Sequence, residues 1–76
     1  MNECFYVYEF KKLNSTDPIF ITGQLETVKF LNDSFYQVPD PLSNKLFRKV
    51  LWQIMDLDVD HCFCDLEKYY KLTRVL

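Results

Sequence analysis

The sequence is poor in the residues that build several common kinds of site. Its 76 residues include one Gly, one Trp and one His. A single Gly leaves no glycine-rich loop to cradle a phosphate and little freedom to shape a tight catalytic turn. Three Cys, an odd number, argue against a disulfide framework and favour a reducing cytoplasm. One Gly and three Pro also exclude a low-complexity linker.

Long apolar runs and a basic excess are also missing. No uncharged apolar run approaches the roughly 20 residues of a bilayer-spanning helix, and the first residues lack the basic stretch of a secretory signal. We therefore expect neither a membrane anchor nor a signal peptide. The net charge of −2 gives no support to a binder of nucleic acid with a concentrated basic face.

Aromatic residues, by contrast, are abundant, with seven Phe, five Tyr and one Trp. Each buried aromatic ring removes a large area from water, so a short chain can fold without disulfide or metal staples. The length suits one domain, over residues 1–76, with one core.

Two strands are predicted at the start of the chain. Residues 4–12 are rich in aromatic and β-branched side chains, and residues 19–22 form a second, shorter run of the same kind. The residues between them favour a turn, because Asn, Ser, Thr, Asp and Pro follow one another there. We expect an antiparallel hairpin.

The rest of the chain is organised around a predicted helix over residues 41–55. Asp40 can cap its free N–H groups, and Pro41 suits the first helical position. Its apolar residues recur at every third or fourth position, in the set Leu42, Leu46, Phe47, Val50, Leu51, Ile54 and Met55. Such a stripe is wide enough to contact two neighbours at once, as a central helix does.

Two further helices are predicted on either side of this one. A helical stripe covers residues 24–33, and residues 58–73 keep a 3–4 spacing with acids early and bases late. The alternation of apolar and acidic residues over 57–63 instead allows a strand there. The expected fold is α+β, with the hairpin packed on three helices.

The hairpin is the first predicted contact surface. Apolar side chains occupy both of its faces, and helices can cover only one of them. We expect Tyr6 and Tyr8 to lie on the outer face, where they would anchor a partner protein or a second copy of the chain. The alternative is that the helices wrap far enough to bury both faces of the hairpin.

The acidic segment is the second predicted contact surface. Residues 56–67 carry five acids and no Lys or Arg. These carboxylates would orient a basic partner and speed its association, through Asp58, Asp60, Asp65 and Glu67.

A calcium loop is an alternative interpretation of the same segment. The spacing of Asp56, Asp58 and Asp60 is that of a helix-loop-helix calcium site, but His61 stands where such a loop needs Gly. Acids that stay solvated at the start of a helix explain the pattern better.

The cysteines allow two further alternatives. Cys4, His61, Cys62 and Cys64 would suffice for zinc, yet Cys-x-Cys on a helix points its sulfurs apart. His61 and Cys64 could form a nucleophile and its base, but no third residue or oxyanion donor accompanies them. We therefore predict no metal, no cofactor and no catalytic residue.

A basic patch on the central helix supplies the main alternative function. Lys45, Arg48 and Lys49 would make the protein a small DNA-binding regulator of the helix-turn-helix type. The segment before this helix is longer than the usual tight turn, and a solvated helix face is the favoured interpretation, so we do not expect direct DNA binding.

The first half of the chain has an aromatic strand, a polar turn, a Thr-Gly step and a short amphipathic helix, in the order Phe5-Tyr6-Val7-Tyr8, Asp17-Pro18, Thr22-Gly23, Leu25-Glu26 and Phe30-Leu31-Asn32. This arrangement resembles that of small bacteriophage-encoded accessory proteins. Many of these bind and block a host enzyme or defence complex, anti-CRISPR proteins among them. The resemblance implies a viral, non-enzymatic inhibitor of a host complex such as a CRISPR-Cas effector, acting in the cytoplasm of the host cell.

Overall fold

A computed structural model of the chain describes residues 6–76. Its strands form one antiparallel sheet and comprise β1 (Val7–Lys12), β2 (Ile19–Thr22), β3 (Cys62–Asp65) and β4 (Tyr70–Arg74). The order across the sheet is β2-β1-β4-β3, so the first and last strands lie side by side at its centre. The predicted hairpin is confirmed as β1 and β2, while residues 4 and 5 of the predicted first strand lie outside the described residues.

The helices all lie between β2 and β3 in the chain. They comprise α1 (Gln24–Leu31), which continues into a π-helical turn (Asn32–Tyr36), and α2 (Arg48–Asp56). Both helices pack on the same face of the sheet, because their buried side chains join those of β1 and β4 in one core. The α+β class is confirmed, but the described residues contain two α-helices rather than three.

The helix predicted over residues 58–73 is wrong, since this segment forms the β3–β4 hairpin. Asp60 and Tyr69 have positive φ angles of 69° and 59°, which end any helix at both places. Tyr70 and Leu72 point to the core at every second position, as strand residues do. Pairing of β4 with β1 therefore overrides the helical spacing.

The predicted central helix begins later than expected, at Arg48 instead of residue 41. Residues 41–47 form successive turns. Phe47 occupies the N-cap position and has no side-chain cap hydrogen bond. Asn44 closes the turn before it, because its Oδ1 accepts a hydrogen bond from Phe47 N–H at 2.9 Å and its carbonyl accepts one from Arg48 N–H at 3.0 Å. Because the chain before Phe47 is not helical, Leu42 and Leu46 are exposed instead of joining the core.

The core lies between the inner face of the sheet and the helices. Its buried members are Tyr8, Phe10, Val28, Leu31, Phe47, Val50, Ile54, Tyr70 and Leu72. Phe10 is central, with its ring centroid 4.9 Å from that of Phe30 and 5.5 Å from that of Tyr70. Tyr8 donates its phenolic O–H to the carbonyl of Ile54 at 3.2 Å, which holds the end of α2 against the sheet.

The single Gly makes the turn from β2 into α1. Gly23 has a φ of 101° and a ψ of 142°, a conformation that residues with a Cβ rarely adopt. Its N–H donates to the carbonyl of Tyr6 at 2.6 Å, and its own carbonyl accepts from the Thr27 hydroxyl at 2.7 Å. The Thr22-Gly23 step thus begins α1, as the sequence predicts.

Leu72→Ala is expected to destabilise the fold by about 2–5 kcal/mol, because Leu72 is fully buried and lies between Phe10 and Phe63 on the two neighbouring strands. Lys71→Ala, on the opposite face of the same strand, is the control and should change stability by no more than about 0.5 kcal/mol. Urea unfolding followed by circular dichroism measures both. Equal losses in the two variants would contradict the assigned faces of β4.

Candidate functional site

An apolar groove lies between α1, α2 and the turns that precede α2. Its wall consists of Leu25, Leu42, Leu51, Trp52 and Met55, and it encloses about 200 Å³. Every one of these side chains is apolar, and Trp52 is 64% exposed. A contiguous apolar surface rimmed by polar residues is a feature of many contact sites.

The groove exists because the apolar stripe of α2 is wider than the surface that covers it. Val50 and Ile54 are buried against the rest of the core. Leu51 and Met55 follow them by one position, about 100° further round the helix, and point toward the groove beside Trp52. Sequence reasoning found the width of the stripe and assigned all of it to neighbours within the chain. It missed Trp52 and the exposure of Leu42.

The prediction that Tyr8 lies on an outer face is wrong. Its side chain is 0% exposed, since alternation along β1 turns Tyr8 and Phe10 into the core. Tyr6 is half-buried, and the Arg74 guanidinium lies 4.4 Å from its ring centroid. The outer face of β1 instead carries Val7 and Glu9, so the two tyrosines do not form an exposed pair.

The predicted acidic surface is divided between the two ends of β3. Asp58 and Asp60 lie in the turn before this strand, and Glu67 lies in the turn after it. The four residues of β3 span roughly 13 Å, so these carboxylates do not share one patch. Asp65 is half-buried and already hydrogen-bonded, whereas Asp58 is exposed, with Oδ2 3.7 Å from His61 Nδ1.

A second concavity, here called the polar groove, lies between α2 and the β3–β4 hairpin and encloses about 500 Å³. Asp65 is its most connected group. Its Oδ2 accepts the Tyr36 O–H at 2.6 Å, and its Oδ1 accepts the backbone N–H groups of Glu67 and Lys68. Because both oxygens have protein partners, Asp65 holds the hairpin to the π-helical turn and is not free to bind a ligand. We therefore favour the smaller apolar groove as the functional site.

Tyr36 and Tyr70 form a phenol pair behind Asp65, with their oxygens 3.0 Å apart. Burial, with a smaller effect of the nearby Asp65 carboxylate, raises the pKa of Tyr70 to about 12, although the hydrogen bond with Tyr36 acts in the opposite direction. Burial and the hydrogen bond to Asp65 also raise the pKa of Tyr36 well above its ordinary value. These phenols are therefore held neutral, as donors that fix the hairpin in place.

The basic residues of the alternative function do not form a helix-turn-helix. Lys45 lies in the turns before α2, while Arg48 and Lys49 begin that helix. Arg48 Nε donates to the carbonyl of Leu42 at 3.4 Å, and Lys49 lines the polar groove. Residues 37–47 separate the π-helical turn from α2, which is longer than the tight turn of that motif. DNA binding through these side chains stays the alternative hypothesis that the sequence does not favour.

The described cysteines lie together on β3. Cys62 and Cys64 are both free and exposed, and they share the outer face of a strand, whereas the predicted helix would have turned them apart. Cys4 lies outside the described residues. Within residues 6–76, no group of three or more His, Cys, Asp or Glu side chains is placed to hold a metal ion.

Comparisons with protein-family models, with curated proteins and with solved structures give no match. Over residues 6–76, neither helix has the length and apolar character needed to cross a bilayer. The functional argument therefore depends on the geometry of this chain.

Stability should fall above pH 10, because Tyr36 and Tyr70 have higher pKa values folded than unfolded. Their contribution is complete below pH 10 and is lost as the pH rises toward 12 and beyond, by up to about 1.4 kcal/mol per pH unit for each phenol. Urea unfolding between pH 8 and 11.5 measures this slope. Tyr36→Phe should make it shallower, whereas Tyr69→Phe, at an exposed turn position, should leave it unchanged. A slope equal in both variants would contradict the role of the phenol pair.

Proposed function

We propose that this chain is a non-enzymatic protein-binding module whose contact surface is the apolar groove around Trp52. The observation that carries the proposal is the uncovered half of the α2 stripe. Leu51, Trp52 and Met55 meet Leu25 and Leu42 in a wholly apolar surface that nothing else in residues 6–76 covers. Exposing this surface costs free energy in water, and a bound apolar partner removes that cost.

The partner that fits is a protein segment with projecting apolar side chains. A volume of about 200 Å³ accepts one large aliphatic or aromatic side chain at a time, and the groove runs between two helices. An amphipathic helix of the partner meets both requirements, because it presents apolar anchors at regular intervals. Trp52 suits the role of central anchor, since Trp is enriched among the residues that dominate binding energy.

The resemblance to phage accessory proteins supports one class of partner. We propose a host enzyme or defence complex, such as a CRISPR-Cas effector, which the module would inhibit by occupying an apolar helix site. Asp58 and Asp60 are exposed at one end of the sheet, where they would steer the module toward a basic surface. Asp65 takes no part in this, because its oxygens are used within the fold.

The test compares Trp52→Ser with Phe20→Ser, a matched control. Both side chains are aromatic and similarly exposed, at 64% and 60%, but Phe20 lies on the outer face of the sheet. Tagged wild type and both variants are used to capture partners from the native host cell, and bound proteins are quantified by mass spectrometry. Loss of Trp52 should reduce capture of the specific partner at least about tenfold, a change of about 1.4 kcal/mol.

The control should capture that partner as wild type does. Because Trp52 is the single Trp, its fluorescence also reports directly on the groove, and a blue shift is expected when the purified partner is added. Undiminished capture by Trp52→Ser, with Phe20→Ser also unaffected, would remove the groove from the proposal. Binding lost only in the Phe20 variant would move the contact surface to the sheet.

A further inference from the structure

The strand β3 forms one edge of the sheet, and no strand within residues 6–76 pairs with its far side. Its sequence is Cys-Phe-Cys-Asp, and its single charged side chain, Asp65, is hydrogen-bonded to Tyr36 within the fold, so neither Cys62 nor Cys64 places a charge at the edge. The opposite edge strand, β2, is preceded directly by Pro18, which limits pairing there.

The hydrogen bonds to β4 determine which backbone groups of β3 remain available. Arg74 N–H donates to the carbonyl of His61 at 3.0 Å. Because the direction of these groups alternates in an antiparallel pair, Phe63 and Asp65 also point their N–H and C=O groups toward β4. The N–H and C=O groups of Cys62 and Cys64 therefore point away from the sheet.

We propose that β3 pairs antiparallel with β3 of a second copy, about a two-fold axis that passes beside Phe63 perpendicular to the sheet. Residues that lie directly opposite each other in such a pair have their side chains on the same face of the sheet. Cys62 can therefore lie opposite only a residue whose side chain is also on the outer face. When Cys62 lies opposite Cys64 of the second copy, all four outward backbone groups of each strand form hydrogen bonds. If one β3 strand is shifted by two residues relative to the other, in either direction, only half of these hydrogen bonds between the two strands can form.

Side chains favour the same register. Phe63 is half-buried on the inner face, and it would lie opposite Phe63 of the second copy as a cross-strand aromatic pair.

The cysteines make this register measurable. Cys62 and Cys64 of opposite copies would have Cα atoms about 5.5 Å apart, within the roughly 4.4–6.8 Å range of disulfides. The Cys64 residues of the two copies would be offset by two residues along the strands, with their Cα atoms about 8 Å apart. The same distance would separate the two Cys62 residues. Only unlike cysteines are therefore placed to form a bond between copies.

The test uses Cys62→Ser and Cys64→Ser, each in a Cys4→Ser background, treated with diamide. Diamide takes the two thiol hydrogens and becomes the hydrazine as the disulfide forms. Each variant alone should stay largely uncrosslinked, whereas their mixture should crosslink up to about half of the protein, the share of mixed pairs in a random mixture. No crosslinking in the mixture overturns the pairing, and equal crosslinking in one variant alone overturns the register.

Sedimentation equilibrium gives an independent measurement without oxidation. The wild-type chain should be dimeric, and Cys62→Lys with Cys64→Lys should return it to monomer, because four ammonium groups would meet across the axis. Phe20→Lys with Thr22→Lys makes the same change on the other edge strand and should leave the dimer intact. Trp52→Ser should also remain dimeric, so this proposal and the proposed binding groove can fail separately. A monomeric wild type overturns the pairing.

Discussion

The pairing of β1 with β4 is the constraint on which the rest of the fold depends. It joins the two ends of the chain at the centre of the sheet, with Phe10 opposite Leu72 and Lys12 opposite Tyr70. β2 pairs with the free side of β1, and β3 pairs with the free side of β4, which gives the order β2-β1-β4-β3. The chain between β2 and β3 must consequently cross from one edge of the sheet to the other. α1, the π-helical turn and α2 make this crossing on one face, so the helices cover the inner face and none of them covers the outer one.

Phenol groups fix the helices on the sheet at two distant points. Tyr8 reaches from a central strand to the carbonyl of Ile54 near the end of α2, and Tyr36 reaches from the π-helical turn to Asp65 at the end of β3. A buried hydroxyl without a partner costs about 1–3 kcal/mol, so these bonds also select the position of the helices. No buried side-chain nitrogen or oxygen of residues 6–76 lacks a hydrogen bond. An aromatic core of this kind therefore specifies one arrangement, and Asp65 serves this arrangement instead of a ligand.

Local patterns in the sequence predicted the elements that local interactions determine. The β1–β2 hairpin and the beginning of α1 after Gly23 depend on turn residues and on one positive φ angle, and both are readable from the chain. The β3–β4 hairpin is not, because its residues fit a helical spacing as well as an alternating one. Their state is decided by β1, some sixty residues away, which offers Leu72 and Tyr70 a paired strand. The same long-range pairing turned Tyr8 into the core, since the face of a strand is determined by what lies beside it.

The candidate site shows the limit of such patterns most clearly. The width of the α2 stripe was visible in the sequence, and a wide stripe requires two neighbours. The sequence does not say whether both neighbours belong to the same chain. In this fold the core covers Val50 and Ile54, but the later beginning of α2 removes Leu42 from the helix. Trp52, two positions after Val50 on the same helix, lies at the surface. The side of the stripe that lacks a neighbour within residues 6–76 is the surface that a partner would complete, so the apolar spacing that built the core also supplies the proposed binding site.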